Sequence, residues 1–197
     1  YLVVNHCCSM VGLDLNNDYI QAAQLLNSHL PGLSDCHFVA GNSLALPFAE
    51  HSFDFVVSQH ASMNIAQKAV LLAAVHKVLQ VEGCLLLHEV MLAQDCAQTS
   101  VDYPTPWADQ HDHSHLSHWP DFMQLAHAIG FKLIKFEDNT MDALEWLHKA
   151  RNQPPSPPFT PNIALGPTAG RMSANMLRNL QQGRLQIVSA LLVKASS

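Results

Sequence analysis

Short apolar segments alternate with helix-like segments through the first half of the chain, and this alternation constrains the fold more than any other feature. Four apolar segments have the length and composition of buried strands, at residues 11–15, 37–40, 53–58 and 84–90. The third is almost wholly apolar, which predicts a strand buried on both faces. Strand–helix–strand units of this size predict right-handed crossovers and a parallel sheet with helices on both faces.

Helical periodicity separates these strands. Asn and Asp side chains at 16–18 are good helix caps, and Pro31 with Gly32 ends the helix that follows them. The apolar positions of this helix are Ile20, Ala23, Leu26 and Leu30. A second periodic set, at Ile65, Ala69, Leu72, Val75 and Leu79, predicts a helix whose polar positions include Lys68 and Lys77.

The second half of the chain continues with helices and strands. Pro120 begins a predicted helix that Gly130 ends, and a strand follows at 131–137. Five prolines at 153–161 exclude a regular helix or a central strand there. A last helix at 173–182 leads to a last strand at 185–194.

Composition narrows the class of partner and the compartment. The formal charge is −6 and the ten Lys and Arg residues are dispersed, which argues against nucleic acid. Five cysteines without C-x-x-C spacing suit buried thiols in a reducing cytosol. The longest apolar runs are too short to cross a bilayer, so we expect a cytoplasmic protein without a membrane partner.

Two blocks carry a recognisable motif: VGLDL at 11–15 and VAGNSLALPFAEHSFDFVVS at 39–58. Together they resemble the class I S-adenosylmethionine (SAM) dependent methyltransferases, in which an acidic residue ends one strand and a G-D-A-x-x-L-P-F-type loop ends the next. LPF at 46–48 and SFD at 52–54 match, whereas Asn42 replaces the usual Asp. VHKVLQVEGCLLLHE at 75–89 is similar to the family's R-V-L-K-P-G-G-x-L-x-x-x-E block.

The resemblance implies a Rossmann-like α/β fold, with a doubly wound, mostly parallel sheet that ends in an antiparallel C-terminal edge pair. It covers nearly the whole chain, so we predict one domain at 1–197, with substrate-side loops at 102–118 and 151–170. Family members hold the methionine end of SAM on a glycine-rich loop after their first strand, and this sequence contains no such loop. We therefore expect an N-terminally truncated chain in which the first strand is missing.

SAM is the cofactor that the resemblance implies, with S-adenosyl-L-homocysteine as product. Asp14 would accept both ribose hydroxyls and Leu15 would pack on the adenine, although Asp14 alone also suits a nicotinamide-binding fold. The predicted cofactor-binding residues are Asp14, Leu15, Asn42, Ser43, Leu44, Ser58 and Gln59. Asp54 in the same block is interpreted as an anchor of the loop and not as a catalytic acid.

Gln59 and His60 are the predicted catalytic residues, because the family places donor and acceptor together at this strand end. His60 would take a proton from the nucleophile, or alternatively form a hydrogen bond near the methionine moiety of the cofactor. The predicted substrate residues are Asn64, Glu89, Trp107 and Asn175. A structural role is an equal alternative for Glu89, and a hydrophobic plug is one for Trp107.

Two further patterns lie in the second half of the chain. Asn175, Asn179 and Arg184 resemble the N-x-x-x-N-L-x-x-G-R ending of close family members, and the two Asn share a helix face that faces the substrate loop. His111, His113, His115 and His118 invite a metal site. Their alternate spacing without a rigid helix argues against one, and we predict no metal.

The sequence therefore predicts methyl transfer from SAM to a small-molecule acceptor through an N, C or O nucleophile. A non-catalytic methyltransferase-like protein is the first alternative, because the glycine-rich loop is absent. A nicotinamide-dependent oxidoreductase is the second, and the LPFAEHSFDFVV block argues against it. An exposed sheet edge would favour a homodimer.

Overall fold

Strands and helices alternate along the parts of the chain that the computed structural model describes, which are residues 2–6, 8–30, 32, 35–152 and 165–195. The strands are Met10–Asp14 (β1), Cys36–Ala40 (β2), Phe53–Gln59 (β3), Leu79–Leu92 (β4), Phe131–Asp138 (β5) and Leu185–Lys194 (β6). The helices are Leu2–His6 (α1), Asn17–Ser28 (α2), Lys68–Val78 (α3), Trp119–Ile129 (α4), Thr140–Asn152 (α5) and Ala169–Gln181 (α6).

The strands form two hydrogen-bonded sheets. β1 and β2 pair in parallel, with Asp14 opposite Ala40. The other four lie in the order β3-β4-β6-β5, where β3 and β4 are parallel and β6 is antiparallel to both of its neighbours. This arrangement confirms the mixed α/β class and the antiparallel C-terminal edge. Within the described residues, no hydrogen-bonded ladder joins β1 or β2 to β3.

β4 lies at the centre of the packing. Leu85, Leu87 and Met91 on β4 belong to the main core, which α3 and α4 cover. Val90 and Leu92, which point to the opposite face of the strand, belong to a second cluster beneath the 102–118 loop. Because both faces of β4 are covered, the strand is apolar almost throughout.

Several helix boundaries follow the predicted chemistry. The Asn16 side chain accepts a hydrogen bond from the backbone N–H of Asp18 at 2.9 Å and so caps α2. Gly130 ends α4 with a φ of 107°, a left-handed conformation that glycine adopts without steric cost. The stop expected at Pro31, the proline-rich segment at 153–161 and most of the 151–170 loop lie outside the described residues.

One helix was missed by the sequence patterns. α5 begins at Thr140, whose backbone N–H donates to Asp138 Oδ1 at 2.9 Å. Only Ala143, Leu144 and Leu147 turn toward the second cluster, and the remaining surface of the helix is polar or exposed. So narrow an apolar stripe is a weak helical signal in a sequence.

Three predicted burial patterns were wrong. Phe55 and Val57 on β3 are 47% and 42% exposed, because only one edge of β3 is paired in the described structure and its apolar face is incompletely covered. Leu26 on α2 is 65% exposed, because the two-stranded β1–β2 sheet beneath α2 covers little more than Ile20. On α3, Ala69 was predicted to face the core and Lys68 to face solvent, but Lys68 is buried and Ala69 is exposed.

Glu82 and Gly83 lie inside β4, which begins at Leu79 and not at residue 84 as the apolar pattern predicted. Glu82 adopts a φ of 61°, and the pairing register with β3 shifts between Phe53 and Phe55. A Cβ atom on Gly83 would lie 2.9 Å from the carbonyl oxygen of Gln80 and 3.2 Å from that of Asp54. Only glycine fits here, because both neighbours are backbone atoms that cannot rotate away.

We expect Gly83→Ala to lower the free energy of unfolding by about 1–3 kcal/mol, the usual range for overpacking. Gly170→Ala is the matched control, because nothing lies within 4 Å of its added Cβ. The control should raise stability by up to about 1 kcal/mol, since alanine is the better helix former. Urea unfolding of both variants measures the difference, and an unchanged midpoint for Gly83→Ala would contradict the packing argument.

In the described parts of the chain, no helix combines enough length with enough apolar character to cross a membrane.

Candidate active site

The carboxyl ends of β1 and β2 bring together the first group of predicted residues. The backbone N–H of Gly41 donates to the carbonyl oxygen of Asp14 at 2.9 Å, which ties the loop after β2 to the end of β1. The Asp14 side chain is exposed, and its Oδ1 accepts from the backbone N–H of Asn16 at 2.7 Å. Leu15, next along the chain, is 75% exposed and offers a free apolar surface.

The loop that begins at Gly41 is held close to this carboxylate. A Cβ atom on Gly41 would lie 3.0 Å from Leu13 Cδ1 and 3.3 Å from Pro47 Cγ, so a side chain there would push the loop away. Asn42 Oδ1 accepts from the backbone N–H of Leu44 at 2.9 Å and fixes the turn. Leu44 itself packs against the main core.

The end of β3 carries the second group, Ser58, Gln59 and His60. The backbone N–H of His60 donates to the carbonyl oxygen of His88 at 2.9 Å, and His60 adopts a φ of 49°. A non-glycine residue in this left-handed region is strained, and such strain is found preferentially at functional sites. The turn in the backbone places the His60 ring edge-on to His88, with ring centroids 4.9 Å apart.

His88 is itself oriented by a hydrogen-bonded chain. Its Nδ1 lies 2.8 Å from Ser189 Oγ, and that hydroxyl donates to Asn139 Oδ1 at 2.6 Å. Since the Ser189 proton is used on Asn139, we infer that His88 carries its proton on Nδ1. Partial burial and the neighbouring His88 lower the pKa of His60, so His60 is neutral over more of the physiological range.

Glu89 follows His88 on β4 and is completely buried. Its carboxylate accepts from Ser58 Oγ at 2.6 Å and from the backbone N–H groups of Ala61 and Ser62 at 3.1 Å each. Burial raises the pKa of Glu89, while these three donors oppose the rise. In this structure the side chain therefore holds the segment after β3, and its oxygens are occupied by protein donors.

The loop at 102–118 is held onto α6 by the two asparagines of the N-x-x-x-N pattern. Asn175 Nδ2 donates to the carbonyl oxygen of Pro104 at 3.0 Å. Asn179 is fully buried, donates to the carbonyl oxygen of Asp102 at 3.0 Å and accepts from the Asp102 N–H at 2.9 Å. Arg184 also reaches the Asp102 carboxylate, at 2.9 Å. Asn175 and Asn179 thus bind protein backbone in this structure.

Trp107 lies within this loop, and Asn64 lies in the segment after β3. The Trp107 indole N–H donates to Ser114 Oγ at 3.0 Å, and its ring packs against the second cluster. This geometry is that of a hydrophobic plug, the alternative role that the sequence allowed for Trp107. Asn64 is exposed in a 3₁₀ turn at Ser62–Asn64, directly after the candidate catalytic residues.

The histidine-rich stretch forms no cluster of ligands in the structure as described. His111 Nδ1 pairs with Asp112 Oδ1 at 3.1 Å. Across the residues whose placement is known, no group of three or more His, Cys, Asp or Glu side chains is arranged to hold a metal ion.

Lys68 and Asp102 are the site residues that the sequence did not reveal. Lys68 lies among surface-type residues in the helical pattern, yet it is only 6% exposed and contacts the segment after β3. Asp102 sits at the start of a loop without periodicity. Neither role has a local signal, because Lys68 reaches the carbonyl oxygen of His115, 47 residues away, and Asp102 is bound by Asn179, 77 residues away.

Sequence comparison matches part of this chain to known proteins. Residues 1–87 match the family model of a methyltransferase domain. An uncharacterized protein of Haemophilus influenzae is 32% identical over 98 residues, which cover 48% of this chain and 39% of that protein. Phthiotriol/phenolphthiotriol dimycocerosates methyltransferase 1 of Mycobacterium ulcerans is 36% identical over 97 residues, which cover 49% of this chain and 34% of that enzyme.

The solved structures show the same fold. Phosphoethanolamine N-methyltransferase 2 of Haemonchus contortus, in complex with S-adenosyl-L-methionine, matches 99% of this chain and 45% of its own chain, with a TM-score of 0.80 and 16% identity. This chain thus shares the mixed α/β fold of that methyltransferase. The chain spans only 39% and 34% of the length of the two relatives named above.

We expect His88→Gln to raise the pKa of His60, because the substitution removes the neighbouring imidazole that disfavours a second positive charge. Titration of the His60 ring by NMR in ¹³C-histidine-labelled protein measures the change. His127→Gln, on the exposed side of α4, is the control and should leave the His60 titration unchanged. The same midpoint in wild type and His88→Gln would contradict the proposed coupling.

We expect Asn179→Ala to lower the free energy of unfolding by about 2 kcal/mol, because it leaves both backbone groups of Asp102 without a partner. Gln181→Ala on the same helix is exposed and should change stability by less than about 0.5 kcal/mol. Urea unfolding compares the two. Equal effects would show that the loop is not held through Asn179.

Proposed function

We propose that this chain takes part in transferring a methyl group from SAM to a small-molecule acceptor with an N, C or O nucleophile. The observation that carries the proposal is the juxtaposition of the exposed Asp14 carboxylate with the Gly41 loop, at adjacent strand ends within the residues that match the methyltransferase family. In doubly wound sheets, ligands bind at the carboxyl ends of the strands.

The residues at these strand ends fit the adenosine part of SAM. Asp14 offers a carboxylate for the ribose hydroxyls, and exposed Leu15 offers apolar surface for the adenine. Asn42 Oδ1 already accepts from Leu44, but an amide oxygen has a second lone pair for the adenine amine. Ser43 and Leu44 complete this side of the site, and Ser58 and Gln59 are proposed to meet the cofactor from the end of β3.

Gln59 and His60 are proposed to act on the acceptor. When bound, SAM supplies an electrophilic methyl group on a positively charged sulfur. Neutral His60 would accept the proton that a nucleophilic N–H or O–H loses as its new bond to carbon forms. Only the unprotonated ring can accept a proton, so the lowered pKa of His60 would let it act as a base at lower pH. The protein otherwise contributes alignment, which is worth roughly 7–11 kcal/mol in good models.

The predicted substrate residues divide into two kinds. Asn64 is exposed beside the catalytic residues and is proposed to contact the acceptor. Glu89, Trp107 and Asn175 are proposed to shape the acceptor side by holding the loops that line it, since their polar atoms are bound to the protein.

The wider setting is also a proposal. A formal charge of −6 suits a small-molecule acceptor better than a nucleic acid. The free thiols of Cys8, Cys36, Cys84 and Cys96 support a reducing, cytoplasmic location. Phe55 and Val57 are exposed, and one edge of β3 is unpaired within the described residues; both features support association into a homodimer. Sedimentation analysis over a range of protein concentrations would test the dimer.

We expect Asp14→Ala to weaken SAM and S-adenosyl-L-homocysteine binding by about tenfold to a hundredfold, the usual value of hydrogen bonds to a charged group. Calorimetric titration of this chain and of the full gene product measures it. Asp18→Ala is the matched control, because it removes an exposed carboxylate near the start of α2 and should bind like wild type.

Loss of binding in both variants would contradict the assignment of the ribose to Asp14. Absence of binding even in the unmodified gene product would favour the non-catalytic alternative.

A further inference from the structure

Lys68 is a buried lysine at the first position of α3, with 6% of its surface exposed. Its ammonium group donates to three backbone carbonyl oxygens: Ser62 at 2.5 Å, His115 at 2.6 Å, and Ile65. An ammonium group has three protons, so its donor capacity is fully used. Two of the three acceptors belong to the segment after β3, and the third belongs to the 102–118 loop.

This position is electrostatically unfavourable for a cation. The amino end of a helix carries partial positive charge, and burial removes the ammonium from water. Burial lowers the pKa of Lys68 from 10.5 to about 8, although Glu89 opposes the shift. The folded chain therefore releases this proton before the unfolded chain does. Stability rises as the pH increases from about 8 to 10.5, so the charged form near neutral pH disfavours folding.

The contacts of Lys68 connect the segment that follows the candidate catalytic residues with the 102–118 loop. The backbone N–H of His115 donates to the carbonyl oxygen of Met63 at 2.8 Å, beside the bond from Lys68 to the His115 carbonyl. Both backbone polar groups of Ser62 are bonded: its N–H donates to Glu89, and its carbonyl oxygen accepts from Lys68. Ala61, the residue after His60, is bound to Glu89.

We propose that Lys68 is a positioning residue, whose ammonium group clamps residues 61–65 against the loop at His115 and thereby fixes the placement of His60 beside His88. The catalytic meaning of His60 rests on the proposed function. The clamp itself rests on the three carbonyl contacts and is testable without turnover.

The test compares Lys68→Met with Lys77→Met. Both remove one lysine charge from α3, but Lys77 is exposed and pairs only with the surface carboxylate of Glu50 among the described residues. Hydrogen exchange is followed at the amides of Asn64, Ile65 and His115, which are bonded to Ala61, Ser62 and Met63 respectively. The His60 titration by NMR is measured in the same samples.

In Lys68→Met we expect exchange at these three amides to accelerate about tenfold or more, because their opening no longer breaks the bonds to the ammonium group. The pKa of His60 should move up toward its ordinary value as the ring leaves His88. Exchange at the β4 and β6 amides should not accelerate in the same way, because the three carbonyl oxygens that lose a donor lie outside these strands. Lys77→Met should change none of these properties.

Unchanged exchange and an unchanged His60 titration in Lys68→Met would overturn the proposal. So would uniform acceleration across β4 and β6 with a lower thermal midpoint, since that describes a general stabilising role. As a second check, propylammonium added to Lys68→Ala should restore slow exchange at His115, whereas propanol should not; failure of propylammonium to do so would also count against the clamp.

Titration of S-adenosyl-L-homocysteine into both lysine variants separates the clamp from the proposed function. Retained binding with loosened loops supports both. Loosened loops in a gene product that binds no S-adenosyl-L-homocysteine would keep the clamp and refute the methyltransferase assignment.

Discussion

The buried carboxylate of Glu89 is the contact on which the candidate site depends. It joins β4 to Ser58 at the end of β3 and to the two backbone N–H groups that follow His60. Burial raises the pKa of Glu89, so between its ordinary value of 4.5 and the raised value the folded chain binds more protons than the unfolded one. Stability therefore falls as the pH rises through that interval. The buried charge of Glu89 therefore lowers stability, but its carboxylate provides fixed hydrogen-bond acceptors for the segment after β3. Glu89 accepts from backbone N–H groups of this segment, and Lys68 donates to backbone carbonyl oxygens of the same segment.

The substrate-side loop is attached by a different kind of contact. The side-chain amides of Asn179 and Asn175 bind the backbone of Asp102 and Pro104, respectively. The Asp102 carboxylate also forms an ion pair with Arg184. Neutral amides can donate and accept at once, so Asn179 satisfies both backbone groups of one residue without burying a charge. The apolar cluster beneath, with Val101 and Trp107, then excludes water from these bonds.

The strand and helix boundaries were largely predictable, because they depend on local patterns. β6 occupies the predicted residues, and Asn16 and Gly130 cap the helices that they were expected to cap. Burial was less predictable, because it depends on which neighbours cover a face. Phe55 and Leu26 occupy positions at which the strand and helix patterns predict buried apolar residues, and both are exposed.

The same limit applies to the candidate site. Asp14 ends β1 and His60 directly follows β3, as the strand patterns predicted, although the two strands belong to different sheets. The acceptors of Lys68 lie three, six and 47 residues away in the sequence, so no periodicity marks it. A lysine in a helical pattern is ordinarily solvated, and only the folded chain shows that its charge is used internally.

The proposed cofactor and acceptor sides belong to different sheets, and this has a mechanical consequence. No ladder joins β1 or β2 to β3 in the described structure, so strand register does not fix Asp14 relative to His60. What connects them is the loop after β2, whose Leu44 and Leu46 pack against the main core. Apolar contacts are non-directional and tolerate sliding more than paired strands do. Substitutions at these two leucines should therefore disturb the alignment of the two sides as well as stability.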